Sequence, residues 1–142
     1  MAPPLHICII DDDPIVQFTL QKQIENLSIA CIIHAFLDGE QAYQFFLKKP
    51  KPLPDLVFLD INMPILDGWG FMEKFAPLYP SLKKNILLYV LSSSSFDQDI
   101  NRSKTYPMIN GYLVKPLIGD AFTNAFKPLL ERNMNTTKTV NQ

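Results

Sequence analysis

Five short apolar runs, each separated from the next by a longer stretch of helical periodicity, constrain this chain more than any other feature. The runs are Leu5–Ile10 (LHICII), Ile29–Phe36 (IACIIHAF), Leu56–Leu59 (LVFL), Ile86–Leu91 (ILLYVL) and Ile109–Val114 (INGYLV). Runs this short and continuous suit strands buried on both faces, as in a parallel sheet covered by helices. Between them the period lengthens. Val16, Leu20, Ile24 and Leu27 form one stripe of a helix, with Asp13 placed to cap it and Pro14 in its first turn. Ala42, Phe45 and Phe46 mark a second helix, and Phe71, Phe75 and Leu78 a third. The more polar stretch from Phe96 to Tyr106 is read as a fourth, capped by Ser94 or Ser95. Phe122, Phe126 and Leu129 give the last, with Pro128 inside it. Proline in a helix interior costs about 3 kcal/mol, so this helix is expected to bend or end near Phe126.

Five βα units in tandem predict an α/β fold built on a doubly wound parallel sheet. Right-handed crossovers make the flavodoxin-like (βα)5 order 2-1-3-4-5 the expected one. The 142 residues suit one domain, expected over 1–132, followed by a polar, loose tail over 133–142 (NMNTTKTVNQ). Thirteen basic residues against 14 acidic ones leave no basic footprint for nucleic acid. No apolar run approaches the roughly 20 residues needed to cross a bilayer, and MAPPLH lacks the pattern of a signal peptide, so a cytoplasmic protein without a membrane partner is expected. Cys8 and Cys31 lie in strand-like runs and are read as packed free thiols.

In open α/β sheets ligands bind beyond the carboxyl ends of the strands. The first run is followed by Asp11, Asp12 and Asp13; the third by Asp60, with Asn62 two residues on; the fourth by Ser92 and Ser93; the fifth by Lys115 and Pro116. Carboxylates gathered this closely repel unless a cation relieves them, and Lys115 and a metal ion are the two candidates. A ligand set made only of oxygens favours a hard ion such as Mg²⁺. Neither His6 nor His34 belongs to a ligand-spaced cluster for zinc. One carboxylate can then act as a nucleophile towards phosphorus, with metal and lysine stabilising the transferred phosphoryl oxygens. Taken one at a time these residues have plainer readings: a capped acidic turn, a turn at Asp67-Gly68, a surface lysine, a core tyrosine. Trp69 has no functional reading and is expected to be exposed or half-packed.

Together, IIDDDP (Ile9–Pro14), LDINMPILDG (Leu59–Gly68), LSSS (Leu91–Ser94) and GYLVKP (Gly111–Pro116) closely resemble the receiver domains of two-component response regulators, in order and near-family spacing. The resemblance spans about residues 5 to 130. It implies Asp60 as phospho-acceptor, Asp11 and Asp12 as the acidic pair for Mg²⁺, and the backbone carbonyl of Asn62 as a further metal ligand. It implies Ser92 as the switch hydroxyl, with Ser93 as the alternative if the strand slips by one residue. Lys115 is implied as the lysine on the phosphoryl group, with a cis bond to Pro116. Tyr112 resembles the aromatic rotamer switch, and Gly68 the turn glycine after the acceptor. The stretch TYPMING (Thr105–Gly111) departs from the family's usual small-residue version.

The function so implied is a single-domain response regulator rather than an enzyme. A sensor histidine kinase or a histidine phosphotransfer protein donates the phosphoryl group, and an unidentified target protein reads the switched surface. Rivals are a degenerate receiver acting as a constitutive interaction module and a small aspartyl-phosphate phosphatase. The haloacid-dehalogenase type of phosphatase wants a second carboxylate two residues after the nucleophile; Asn62 stands there and transfers no proton. Nucleotide-binding glycine loops are absent from the sequence.

Overall fold

The computed structural model describes residues 3–140, with side chains described over 3–132. Strand and helix alternate throughout: β1 (Leu5–Ile10), α1 (Pro14–Glu25), β2 (Cys31–Phe36), α2 (Gly39–Leu47), β3 (Leu56–Asp60), α3 (Gly68–Leu82), β4 (Leu87–Ser92), α4 (Asp97–Ser103), β5 (Ile109–Val114) and α5 (Gly119–Val140). All neighbouring strands are parallel, in the order β2-β1-β3-β4-β5. This is the flavodoxin-like doubly wound sheet that the periodicity predicts.

The central strands β3 and β4 are buried at every position, whereas the edge strands β2 and β5 are only partly covered. Successive side chains of a strand point to opposite faces. Val57 and Leu59 therefore meet Phe46, Phe71 and Phe75 on one side, under α2 and α3. Leu56 and Phe58 meet Leu20, Ile24, Phe122 and Phe126 on the other, under α1 and α5. Three helices open on aspartate caps: Asp13, Asp38 and Asp67 accept hydrogen bonds from the backbone N–H groups of Ile15, Gln41 and Gly70.

Several expectations are corrected. Pro128 does not end α5, which runs on to Val140. The carbonyl deprived of its partner by Pro128 is that of Asn124, an exposed residue, while Phe126 and Leu129 hold the helix to the sheet from its buried side. Pro77 and Pro80 lie inside α3 in the same way, both exposed. The fourth helix is shorter than the stretch from Phe96 to Tyr106, and neither Ser94 nor Ser95 caps it. Phe96 is its N-cap residue and makes no side-chain cap; the Ser94 hydroxyl accepts from the Phe96 N–H one step earlier. Trp69 is buried, stacked on Tyr106 at 6.3 Å between ring centroids, with the Arg102 guanidinium 4.9 Å from its ring. Cys8 is buried and Cys31 half-buried, both free. Of the polar stretch 133–142, the backbone over 133–140 continues α5; the side chains of that stretch, and residues 141 and 142, lie outside the described residues, and with them the expectation of a loose tail. No helix among the described residues is long and apolar enough to cross a membrane.

Candidate functional site

Because the five strands are parallel, the residues that follow them emerge at one edge of the sheet. Asp11 follows β1 and is fully buried; its N–H donates to the Phe36 carbonyl at 3.0 Å, and its Oδ1 accepts from the Asp13 N–H at 2.9 Å. Asp12 is exposed beside it. Asp60 closes β3 at 2% exposure, and its Oδ1 accepts from the Asn62 N–H at 3.2 Å. Lys115 follows β5, joined to Pro116 by the expected cis bond. Its backbone N–H donates to the Ser92 carbonyl at 2.7 Å, which ties the end of β5 to that of β4.

Lys115 Nζ stands 2.7 Å from Asp11 Oδ2 and 3.2 Å from Asp60 Oδ1. One oxygen from each of Asp11, Asp12 and Asp60 lies within 4.8 Å of the others. Three carboxylates against one ammonium leave the cluster short of positive charge. Burial and the neighbouring Asp11 push the Asp60 carboxyl up to about 6, against the downward pull of Lys115 and the Asn62 N–H. Burial draws the Lys115 ammonium down, but its ion pairs with Asp11 and Asp60 outweigh that and hold it above its ordinary value. Lys115 is thus a fixed cation beside an Asp60 carboxylate whose charge its surroundings disfavour. Asp11 Oδ2 is buried without a well-directed hydrogen bond, its contact with Lys115 being one of charge. An all-oxygen set of three converging carboxylates, with one ammonium among them, fits a small hard divalent cation.

The hydroxyl candidates separate clearly. Ser92 is the last residue of β4 and fully buried, whereas Ser93 is exposed. The Ser92 Oγ accepts from the Ser94 N–H at 3.0 Å, which leaves its own proton free to donate. Tyr112, in β5, is half-buried and donates its hydroxyl to the Ser94 carbonyl at 2.8 Å. Ser94 is thus held through both of its backbone groups, its N–H by Ser92 and its carbonyl by Tyr112. Gly68 packs behind Asp60: a Cβ there meets the Asp60 carbonyl oxygen and the Ile61 Cα at 2.6 Å.

Beside Lys115 a cleft of about 380 Å³ opens, lined by residues of α1 such as Ile15 and Leu20 and, after β5, by Pro116 and Leu117. Ile15, Phe18 and Ile118 are exposed at 74%, 62% and 54%. Sequence reasoning passed over these residues, and over Gln17, a buried amide on α1 whose two N–H groups are shared among three backbone carbonyls. The signal for Gln17 was its place on the stripe Gln17, Leu20, Ile24, where a polar residue interrupts the buried face of α1.

Comparison with known proteins agrees with this fold. The family model described as "Response regulator receiver domain" matches residues 7–127. The two-component response regulator ORR24 of Oryza sativa is 29% identical over 114 residues, covering 80% of this chain and 17% of that protein. This chain spans less than half the length of the curated relatives that it matches. Among solved structures, a two-component response regulator from Cytophaga hutchinsonii is 25% identical with a TM-score of 0.81, covering 92% of this chain and 99% of that one. The Mn²⁺-bound form of response regulator Rcp1 is 27% identical with a TM-score of 0.69, covering 86% and 89%. With strand order and family match in agreement, the chain belongs to the response regulator receiver domain family of two-component signalling.

Proposed function

We propose that Asp60 accepts a phosphoryl group from a phosphohistidine donor and that the altered surface signals by protein–protein contact. The observation that carries this reading is the Lys115 ammonium, placed between Asp11 and Asp60 at 2.7 and 3.2 Å where three carboxylates converge. An Asp60 carboxylate oxygen attacks phosphorus in line with the P–N bond to the donor's imidazole. That bond breaks, its electron pair stays on the imidazole nitrogen, and an acyl phosphate remains on Asp60. Receiver domains typically bind Mg²⁺ at an acidic pocket, and here Asp11, Asp12, Asp60 and the Asn62 backbone carbonyl are the residues to hold it. When bound, the ion supplies charge neutralisation for the transferred oxygens.

Lys115 gives one phosphoryl oxygen its ammonium, and Ser92 gives another its unused hydroxyl proton. Drawing Ser92 towards Asp60 pulls on the turn whose Ser94 carbonyl anchors Tyr112. Tyr112 then turns inward, and the α4–β5–α5 face changes shape. Receiver domains interact with histidine kinases or phosphotransfer proteins. The apolar cleft beside Lys115, lined by Ile15, Val16, Leu20 and Leu117, suits the histidine-bearing helices of such a donor, because docking there brings the phosphohistidine to the Lys115 end of the site.

Intact mass after incubation with acetyl phosphate tests the reading. One phosphoryl adduct that needs Mg²⁺ and is lost in Asp60→Asn is expected. A folded wild-type protein that gains no adduct from acetyl phosphate or from phosphohistidine donors contradicts it, and leaves a constitutive interaction module.

A further inference from the structure

Gln17 is 5% exposed on the buried side of α1, a position where packing alone asks for an apolar residue. Its Nε2 lies 3.0 Å from the Ile9 carbonyl oxygen, 3.1 Å from that of Asp11 and 3.1 Å from that of Phe36. The amide therefore clamps the ends of β1 and β2 together. Its Oε1 is buried with no hydrogen-bond partner, an arrangement unfavourable in itself. The benefit lies on the donor side of the amide.

The Asp11 carbonyl belongs to the peptide plane that joins Asp11 to Asp12, so fixing its oxygen fixes the direction in which Asp12 leaves β1. Asp11 has other holds: its N–H on Phe36, its Oδ1 on Asp13 and its Oδ2 against Lys115. Asp12 has none of this kind. Among the described residues its exposed carboxylate makes no hydrogen bond or ion pair, so its placement rests on the backbone alone.

We propose that Gln17 is a positioning residue for the acidic pair, holding the Asp11–Asp12 peptide so that both carboxylates meet a divalent cation at the right spacing. This rests on the reading of the site given above. It assigns a role in metal affinity to a side chain that touches neither the cation nor the phosphoryl group.

The test compares wild type with Gln17→Met, which keeps length and loses the donor, and Gln17→Asn, which keeps the amide but draws it back by one methylene. Mg²⁺ dissociation constants are measured by titration calorimetry, and thermal unfolding is measured without metal. Removing a partner that orients a metal ligand typically weakens affinity by about 10- to 100-fold. Gln17→Met is expected at the low end, about tenfold, with Gln17→Asn between it and wild type. Phosphoryl uptake from acetyl phosphate should recover in both variants once Mg²⁺ is saturating, because Asp60 and Lys115 are untouched. A folded Gln17→Met that binds Mg²⁺ within about twofold of wild type overturns the proposal, whatever its melting temperature. If Gln17→Met does not fold, Gln17→Asn decides on the same criterion. A wild-type protein that binds no Mg²⁺ removes the site reading and this proposal with it, whereas normal wild-type binding with unchanged variants removes this proposal alone.

Discussion

Asp60 is ionised at neutral pH against the preference of its surroundings, which raise its carboxyl from 3.8 to about 6. A carboxyl whose folded value lies above its unfolded value destabilises the fold when it ionises. The penalty is absent below about pH 4, grows between about pH 4 and 6, and is fully present above that. At 1.36 kcal/mol for each tenfold change in proton affinity, its ceiling is about 3 kcal/mol. Metal-free Asp60→Asn is therefore expected to be more stable than wild type by about 1–3 kcal/mol near pH 7.5, with the difference vanishing below about pH 4. Urea unfolding at the two pH values checks both magnitude and sign. A variant less stable than wild type at pH 7.5 contradicts the electrostatic account of the site.

At the scale of elements, the β3–α3 connection shapes the site through contacts with no slack. Gly68 opens α3 directly against the Asp60 carbonyl, so a methyl group there must displace backbone rather than a flexible side chain. Gly68→Ala is expected to lose about 1–3 kcal/mol of stability and to slow phosphoryl uptake, because the backbone that moves carries Asp60. Thermal unfolding and adduct formation measured on the same sample check this. Unchanged uptake in a destabilised variant shows that the strain stays away from Asp60.

How far these elements were legible follows from what each depends on. Periodicity located β1 and β5 to the residue, at Leu5–Ile10 and Ile109–Val114. β2 begins two residues later than its apolar run, because β1 begins at Leu5, whose register partner is Cys31. β4 extends to Ser92 because Ser92 pairs with Val114. Pro128 misled because propensity counts a local cost and omits the sheet contacts of Phe122 and Phe126 that override it. Trp69 was illegible because its stacking partner, Tyr106, lies beyond β4 and α4 in the chain. The Asp11, Asp60, Ser92 and Lys115 cluster was readable because each follows or ends a strand. Gln17 shows in the sequence only as a polar residue on the buried stripe of α1; its acceptors are backbone carbonyls, which no side-chain type announces.

For the whole molecule, the sheet gathers three carboxylates and one lysine at one end and leaves them short of positive charge. A cation that binds only the folded state then stabilises the entire domain by mass action. Mg²⁺ at tenfold its dissociation constant is expected to add about 1.4 kcal/mol, seen as a rise in melting temperature that tracks concentration. In Asp12→Asn the same rise should require markedly more Mg²⁺. A melting temperature that responds to Mg²⁺ equally in both proteins places the ion elsewhere.

Everything proposed for the site depends on Asp60, and no other residue, carrying the phosphoryl group. Reduction of the phosphorylated protein with borohydride converts an aspartyl phosphate to homoserine, and peptide mass spectrometry then locates it. Homoserine is expected at position 60 alone, dependent on Mg²⁺ during loading. Homoserine at another aspartate, or an adduct that persists in Asp60→Asn, contradicts it.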